Sequence, residues 1–375
     1  MELSMSGNSL RTFGRCVTFL ARVASELVLQ AHPAKLELHT LNSSRSAYGS
    51  VSLARDFFDH YHLDPAAAAS VPPSTPLQCS VLLKSMLAVF RTPHAAVDRL
   101  AISLPEPDAP KLQFTLHCLN GVRKTYWIAC SAEPEVQSLA LDRGRFPSRL
   151  AIRPRELARL LSNFQSSLQE LTIIATDPAA VLPDAGGDVG GKAVELRSYN
   201  DPAKDDCDTR LHTQLWIDPS EEFVEYVHAG DPVDVTFGVK ELKAFLTFCE
   251  GCDVEILLFF EKTGEPVLLV PRFGVDDGST SDFEATLVLA TMTVSQLADS
   301  NDAQQPATSA QHNVEPRAAT PPSVANHTKI WSELSVLSAI PRSQHHPSNW
   351  VGADDDDDDN EDEELLVQTT PHYMD

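Results

Sequence analysis

Four stretches of the chain repeat the same spacing of basic and apolar positions. When each stretch is aligned on one basic residue, apolar residues follow two, five and six positions later. The aligned basic residues are Arg11, Lys84, Arg155 and Lys240, and the apolar residues that follow them are Phe13, Cys16, Val17, Met86, Val89, Phe90, Leu157, Leu160, Leu161, Leu242, Phe245 and Leu246. At about 100° per residue, these apolar positions lie on the helix side opposite the basic residue. The spacing therefore predicts four amphipathic helices, over Leu10–Val23, Leu82–Arg91, Arg153–Phe164 and Val239–Cys249.

The intervals between these helices contain runs rich in β-branched and apolar residues, which predict strands. The aligned basic residues are 73, 71 and 85 positions apart, a repeat of about half a domain. The predicted strands are Glu26–Ala31, Leu36–Thr40, Ala47–Leu53, Leu112–Leu119, Thr125–Cys130, Leu171–Ala175, Ala193–Tyr199, Leu211–Ile217, Val233–Phe237, Val254–Phe260, Val267–Pro271 and Glu284–Thr291. We therefore expect an α+β fold with two similar domains, each built from antiparallel sheets and two helices.

Changes in composition along the chain predict the domain boundaries. Residues 131–147 lack a strong period and lie between the two helix pairs, so we expect an interdomain connector there. It would join an N-terminal domain over 1–130 to a C-terminal domain over 148–292. From Thr293 onward the chain is rich in Pro, Ser, Thr, Gln, Asn and Asp and poor in apolar residues. Such a composition buries too little apolar surface to offset chain entropy, so 293–375 is predicted to be a disordered acidic tail.

The charge of the chain is distributed very unevenly. The 375 residues carry a formal net charge of −24, which taken alone would argue against a nucleic-acid partner. However, the predicted tail holds fifteen acidic residues against three basic ones, which is half of that excess. The four predicted helices hold only two acidic residues, Glu156 and Glu241. Their ten basic residues are Arg11, Arg15, Arg22, Lys84, Arg91, Arg153, Arg155, Arg159, Lys240 and Lys243.

Within each helix the basic residues form a stripe. Arg11, Arg15 and Arg22 fall within about 40° of one another at 3.6 residues per turn. Four such stripes, nearly free of acids, predict contact with a phosphate backbone that neutralises charge without reading base sequence. The alternative is that long basic side chains simply cover and solvate the outer faces of amphipathic helices.

The predicted tail contains candidate sites for modification and for partner binding. Ser295 and Ser343 each precede Gln, and Thr320 and Thr370 each precede Pro, so these four are candidate phosphosites. Phosphate would add charge and acceptor oxygens for an arginine pocket on a partner. A short apolar element at helical spacing could fold on a partner; its residues are Ile330, Trp331, Leu334 and Leu337.

Three runs resemble the sliding-clamp superfamily, and most closely the Rad-nine subunits of the nine-one-one DNA-damage checkpoint clamp. They are MELSMSGNSLRTFGRCVTFLARVASEL at the start, NSSRSAYGSVSLARDFFDHYHLD at Asn42–Asp64, and PVDVTFGVKELKAFLTFC at Pro232–Cys249. The most specific part is Asn42–Tyr48 followed by Phe57, Phe58 and Tyr61. The resemblance spans about Met1–Thr291.

This resemblance implies two clamp domains whose helices line a central hole, in one subunit of a heterotrimeric ring around duplex DNA. It further implies Rad-one and Hus-one type partner subunits, a clamp loader, a BRCT-domain checkpoint protein that binds the phosphorylated tail, and a nuclear location. Two alternatives stay open: a homotrimeric replication-type processivity clamp, and a phospho-regulated signalling scaffold without direct DNA binding.

The residues define no reaction centre. We find no combination of acid, base and metal ligands that defines catalysis, and therefore expect no enzyme activity, no metal site and no cofactor. Cys249 and Cys252 form a single CxxC pair without a second pair or suitably spaced histidines, so apolar packing is the expected role of Cys249. No stretch has the roughly 18 consecutive apolar residues of a membrane helix, and no membrane association is expected.

Overall fold

The computed structural model describes most of the chain up to residue 297, and the statements below concern the described residues. These are 1–63, 77–106, 109–131, 139, 141–178, 193–199, 211–273 and 282–297. The tail candidates Thr320, Ser343, Thr370, Ile330, Trp331, Leu334 and Leu337 lie outside them.

The four predicted helices are present. They are α1 Gly7–Val23, α2 Leu83–Val89, α3 Pro154–Leu161 and α5 Val239–Cys252, with a short helix α4 at Pro219–Glu222 that the spacing did not predict. Of the twelve predicted apolar positions, eleven are buried and Phe90 is partly buried. The amphipathic pattern is therefore confirmed, although α1 begins three residues earlier than predicted and α3 ends three residues earlier.

The described strands pair antiparallel throughout. They are β1 Glu2–Ser6, β2 Glu26–His32, β3 Lys35–Leu41, β4 Ala47–Ala54, β5 His60–His62, β6 Leu77–Leu82, β7 Val97–Ser103, β8 Lys111–Cys118, β9 Arg123–Ser131, β10 Ser148–Ile152, β11 Glu170–Ala175, β12 Val194–Tyr199, β13 Gln214–Ile217, β14 Glu225–Val227, β15 Val233–Gly238, β16 Glu255–Phe260, β17 Val267–Arg272 and β18 Phe283–Leu289. We call β1–β9 the first half and β10–β18 the second half.

Each half contains two sheets that meet at a corner. In the first half the orders are β5-β1-β7-β8-β9 and β4-β3-β2-β6, and in the second they are β14-β10-β16-β17-β18 and β13-β12-β11-β15. The end of β9 pairs with β6 at one corner, where Ser131 lies opposite Ser80. At the equivalent corner of the second half, the Met292 amide donates to the Thr236 carbonyl oxygen at 2.9 Å. The halves are joined by β18 and β4, so the nine strands from β14 to β6 form one continuous sheet, and the order continues through the β6–β9 corner to 14 described strands.

Each of the four long helices directly follows a strand, namely β1, β6, β10 and β15. Three of these strands, β1, β6 and β10, were not predicted, because runs of only five or six residues contain too few apolar positions to establish a period. Their positions also refine the repeat. Lys84, Arg155 and Lys240 are each the second residue of their helix, and the second residue of α1 is Asn8, not Arg11. The helix α1 therefore places its basic residues about one turn further from the strand than the other helices do.

The helices lie side by side in the order α2, α1, α5, α3. Aromatic contacts hold these neighbours together. Phe13 of α1 lies 6.0 Å from Phe90 after α2, and Phe19 of α1 lies 5.3 Å from both Phe245 and Phe248 of α5, measured between ring centroids. Because the apolar faces pack inward, the opposite faces of all four helices share one solvent-exposed layer.

A close approach between α1 and the segment after α2 requires glycine at position 14. The His94 ring stacks on Phe90 with centroids 5.7 Å apart, and a Cβ atom added at Gly14 would lie only 2.4 Å from His94 Nε2. Glycine in a helix interior costs roughly 1 kcal/mol relative to alanine. The structure tolerates this cost because the missing Cβ leaves room for the imidazole.

We predict that the sign of the Gly14→Ala effect depends on His94. In the otherwise unchanged protein, the added methyl group displaces the ring and should lower the free energy of unfolding by roughly 1 kcal/mol or more. In a His94→Ala background the same substitution should stabilise by up to about 1 kcal/mol, because only the helix propensity remains. Urea unfolding of the two single variants and the double variant measures this coupling. Equal effects in both backgrounds would contradict the proposed contact.

Candidate nucleic-acid interface and assembly edges

All ten basic residues singled out in the helices are exposed to solvent. The apolar faces of the helices are buried against the sheets and against one another, so the basic side chains project from the opposite surface. One correction concerns Arg91, which lies two residues beyond the end of α2. The helical spacing used to align it with Lys84 therefore does not apply, although its side chain is exposed.

The three arginines at α3 are paired with carboxylates. Arg155 Nε lies 3.1 Å from Glu250 Oε1, and Arg153 Nε lies 3.9 Å from Glu255 Oε1. Arg159 contacts both Glu156, at 2.9 Å, and Glu222. All three arginine side chains are at least half exposed, so each pair contributes little to stability. They do, however, reduce the positive potential near α3.

Three of these four carboxylates were not anticipated. Glu250 lies in the last turn of α5, beyond the predicted end of that helix, Glu222 lies in the unpredicted α4, and Glu255 begins β16. The count of two acids in the helices was correct for the predicted spans. It missed partners that reach α3 from elsewhere in the fold.

The other seven basic residues form no ion pair with any residue that the structure describes. They belong to α1, to α2 and the residues just after it, and to the start of α5. Arg15 has a structural contact as well, since a Cβ atom added at Gly251 would lie 3.1 Å from its Nε atom. Burial raises the pKa of Cys252, and the positive charge of Arg15 partly lowers it again. The unpaired positive charge is thus concentrated on α1, α2 and α5.

Two strand edges carry exposed tryptophans. Strand β9 is paired with β8 along its length, but its other edge meets β6 only at Cys130 and Ser131. Among the described strands, β13 is paired only with β12. Trp127 on β9 is 62% exposed and Trp216 on β13 is 55% exposed. Unpaired main-chain groups and exposed aromatic side chains are both typical of surfaces that bind another chain. Neither of these two edges was predicted from the sequence.

A cavity of about 200 Å³ lies where the continuous sheet meets the residues preceding β10. Lys35, Glu37 and His39 line it from β3, and Leu139 and Leu141 line it from the predicted connector. Beside it, the buried Tyr48 hydroxyl lies 2.7 Å from His39 Nδ1 and accepts a hydrogen bond from the Leu139 amide at 3.1 Å. Tyr48 thereby fixes one connector residue to the sheet.

Glu37 is one of the charged residues that line this cavity. Its pKa is lowered to about 2, chiefly by interaction with His39 and further by Lys35, against the opposing effect of burial. His32 Nε2 also lies 3.2 Å from Glu37 Oε2. The carboxylate therefore stays ionised and bound to its neighbours at all but strongly acidic pH.

Of the candidate phosphosites, the structure describes only Ser295. Its hydroxyl donates a hydrogen bond to Asp234 Oδ1 at 2.6 Å, and the side chain is partly buried. The first residues of the predicted tail, 293–297, are thus bonded to the folded body.

Comparisons with proteins of known structure define the class of this fold. The chain is similar to PCNA from Thermococcus kodakaraensis, with a TM-score of 0.54 and 15% identity, over 77% of this chain and 99% of that one. It is likewise similar to a PCNA2-PCNA3 complex from Sulfolobus tokodaii, with a TM-score of 0.55 and 13% identity, over 78% and 100%. The fold is that of a sliding clamp, as the sequence analysis predicted.

The family follows from sequence. The model of the Rad9 family matches residues 13–292, and the chain belongs to that family. It is 26% identical over 303 residues to the cell cycle checkpoint control protein Rad9 of Drosophila melanogaster, covering 80% of this chain and 59% of that protein. It is 24% identical over 379 residues to the DNA repair protein rad9 of Schizosaccharomyces pombe, covering 94% and 82%.

The described residues contain no cluster of three or more His, Cys, Asp or Glu side chains arranged to hold a metal ion. Among the helices in the same part of the chain, none combines the length and apolar character needed to cross a membrane.

We predict that Glu37 makes stability depend on acid pH. Because its folded-state pKa lies below the ordinary 4.5, the ionised carboxylate stabilises the fold above pH 4.5. That contribution is lost as the pH falls from 4.5 through about 2. The free energy of unfolding of Glu37→Gln should therefore fall less steeply over this range, with Lys35→Met giving an intermediate slope. Identical pH profiles for Glu37→Gln and the unchanged protein would show that the carboxylate is not held as described.

Proposed function

We propose that this chain is a DNA-damage checkpoint clamp subunit that assembles into a heterotrimeric ring around duplex DNA. One observation carries the proposal. The chain has the clamp fold of the Rad9 family, and this fold combines two open strand edges with a layer of basic residues on the helices. In this proposal the chain acts by binding rather than by catalysis, and it needs no cofactor. The clamp domains comprise 1–130 and 148–292, joined by the connector 131–147.

The open edges support a head-to-tail ring. Strands β9 and β13 belong to different halves of the chain and present different side chains, so they do not form one self-complementary surface. If the β9 edge of one subunit binds the β13-type edge of the next, the contact is heterologous. Such head-to-tail contacts close into a ring when the rotation from each subunit to the next adds up to a full turn. In a heterotrimer, β9 would bind one partner and β13 the other. We propose Rad-one and Hus-one type clamp subunits as these partners.

The basic layer supports sequence-independent contact with DNA. Lys and Arg side chains that neutralise phosphates release condensed counterions, which makes the affinity strongly dependent on salt. Because the arginines at α3 already contact carboxylates, a phosphate must compete with those pairs. Residues on α1, α2 and α5, such as Arg11, Lys84 and Lys243, have no such competitor among the described residues. We therefore infer that the first half and α5 contribute most of the DNA contact.

The predicted tail supports a recruitment role. We propose that a clamp loader places the ring on DNA in the nucleus, and that the phosphorylated tail binds a BRCT-domain checkpoint protein. The apolar element around Trp331 would supply a second contact. The tail carries a net negative charge, which repels the phosphates of DNA and of anionic membrane surfaces. Neither is therefore a favoured partner of the tail.

We predict a one-to-one-to-one complex when the chain is co-expressed with Rad-one and Hus-one type partners, measured by native mass spectrometry. Because each tryptophan lies on a different edge, Trp127→Glu should abolish association with one partner and Trp216→Glu with the other. Val227→Glu is the matched control, since Val227 is 43% exposed but lies on β14. A stable self-trimer would instead favour a homotrimeric replication-type clamp. A monomer under both conditions would favour the scaffold without direct DNA binding.

We predict unequal effects when basic residues are neutralised in the assembled complex. Replacing Arg11 and Lys243 by Gln should reduce the slope of log affinity against log salt by up to about 2, because each phosphate contact contributes about 0.9. Replacing Arg155 and Arg159 by Gln should change that slope by less than about 1. Fluorescence anisotropy of labelled duplex between low and physiological salt measures both. Equal slopes for both double variants and the unchanged complex would argue against the basic layer as the DNA surface.

A further inference from the structure

We propose that Asp234 fastens the start of the C-terminal segment to the body, and that phosphorylation of Ser295 releases it. Asp234 lies in β15 with only 2% of its surface exposed. Its Oδ1 atom accepts hydrogen bonds from the hydroxyls of Thr263, at 2.9 Å, and Ser295, at 2.6 Å. Its Oδ2 atom accepts from the Gln296 amide at 2.6 Å. A single carboxylate thus binds the β16–β17 turn and the chain that follows β18.

Further bonds fasten the residues just before Ser295. The Thr291 hydroxyl donates to the Glu265 carbonyl at 2.8 Å and accepts from the Gly264 amide at 3.0 Å. Together with the bond from Met292 to Thr236, these contacts hold Thr291 and Met292 against the turn and the edge of β15. Of the contacts named here, those of Ser295 and Gln296 lie furthest along the chain. Fraying from the C-terminal side would therefore open them before those of Thr291 and Met292.

The environment of Asp234 makes phosphate at Ser295 incompatible with the attached state. A buried carboxylate is costly unless donors compensate its charge, and no Lys or Arg of the described residues forms an ion pair with Asp234. Hydrogen bonds from Ser295 and Gln296 supply the compensation, and the Thr263 hydroxyl shares its proton between the carboxylate and the Asp234 carbonyl oxygen. Phosphoserine has no hydroxyl proton to donate and carries a charge of about −1.5 to −2 at neutral pH. Beside Asp234 it would replace an attractive contact by repulsion between two anions.

Ser295 is followed by Gln296, so the sequence suits a protein kinase that recognises Ser-Gln. In the attached state both residues are hydrogen-bonded to Asp234. The kinase would therefore act on the detached segment. The γ-phosphoryl group of ATP moves to Ser295 Oγ: the new oxygen–phosphorus bond forms, the bond from the γ-phosphorus to ADP breaks, and the hydroxyl proton passes to the kinase. The product cannot reattach, so phosphorylation shifts the population toward the released segment.

This inference goes beyond the proposed function and requires neither DNA nor ring partners. Its test therefore fails or succeeds independently of ring assembly. The Ser343 site provides an internal reference, because it is a second Ser-Gln sequence further along the predicted tail.

The first experiment is hydrogen exchange on the full chain, before and after phosphorylation by a Ser-Gln-directed kinase. We expect the Gln296 amide to exchange at least about tenfold faster after phosphorylation, as the loss of a charge-assisted hydrogen bond implies. Ser295→Glu should show the same direction of change. Ser295→Ala should change exchange much less, because it introduces no charge and leaves the bond from Gln296 to Asp234 in place. Unchanged protection of Gln296 in the phosphorylated chain would overturn the proposal.

The second experiment compares initial phosphorylation rates at Ser295 and Ser343. In Asp234→Ala no side-chain oxygen remains to accept from Ser295 or Gln296, so the ratio of the Ser295 rate to the Ser343 rate should rise about tenfold. An unchanged ratio in a folded Asp234→Ala protein would overturn the proposal. Should that variant fail to fold, the exchange comparison of phosphorylated, Ser295→Glu and Ser295→Ala chains decides the question without altering a buried residue.

Discussion

Strand β18 pairs with β4 from Phe283 opposite Leu53 to Leu289 opposite Ala47. This main-chain ladder joins the two halves into one continuous sheet, and a shift of one residue would turn every side chain of β18 to the wrong face. Because the ladder fixes the halves relative to each other, α1 of the first half lies beside α5 of the second. Phe19 then packs on Phe245 and Phe248 across that contact. The single basic layer depends on this pairing.

Electrostatics divides that layer into two parts. Around α3 the arginines contact Glu156, Glu222, Glu250 and Glu255, whereas the basic residues of α1, α2 and α5 have no ion-pair partner among the described residues. The positive potential is therefore lower at α3 and higher over α1, α2 and α5. DNA passing over the helices would be drawn toward α1, α2 and α5, where phosphate meets no competing carboxylate. In a ring, such an asymmetry in one subunit would favour an off-centre or tilted path for the duplex.

The sequence predicted the parts of the fold that depend on local periodicity. The apolar spacing of Phe13, Cys16 and Val17, and its repeats, identified the four long helices because burial of one helix face has a period of 3.6 residues. The strands before the helices were harder to find. In β1 only Leu3 and Met5 are inward-facing apolar residues, and two positions are too few to establish a period.

Features of the site that depend on long-range contacts could not be predicted. The pairing of Arg155 with Glu250 joins residues 95 positions apart, and the bond from Ser295 to Asp234 joins residues 61 apart. The sequence marked Ser295 as a candidate phosphosite from its Gln neighbour alone, and only the structure shows that its hydroxyl is already bound. Similarly, the open edges of β9 and β13 follow from which strands pair with them, which is a property of sheet order and not of local sequence.

The central claim, that this chain encircles duplex DNA as part of a ring, is tested most directly by topology. The purified three-subunit complex is loaded by its clamp loader onto nicked circular DNA, washed with salt, and followed after the circle is cut once. The account predicts that the complex stays on the circle, leaves soon after linearisation, and is retained when both new ends are blocked by bulky proteins. An equal bound fraction before and after linearisation without blocked ends would show ordinary surface binding and contradict the ring.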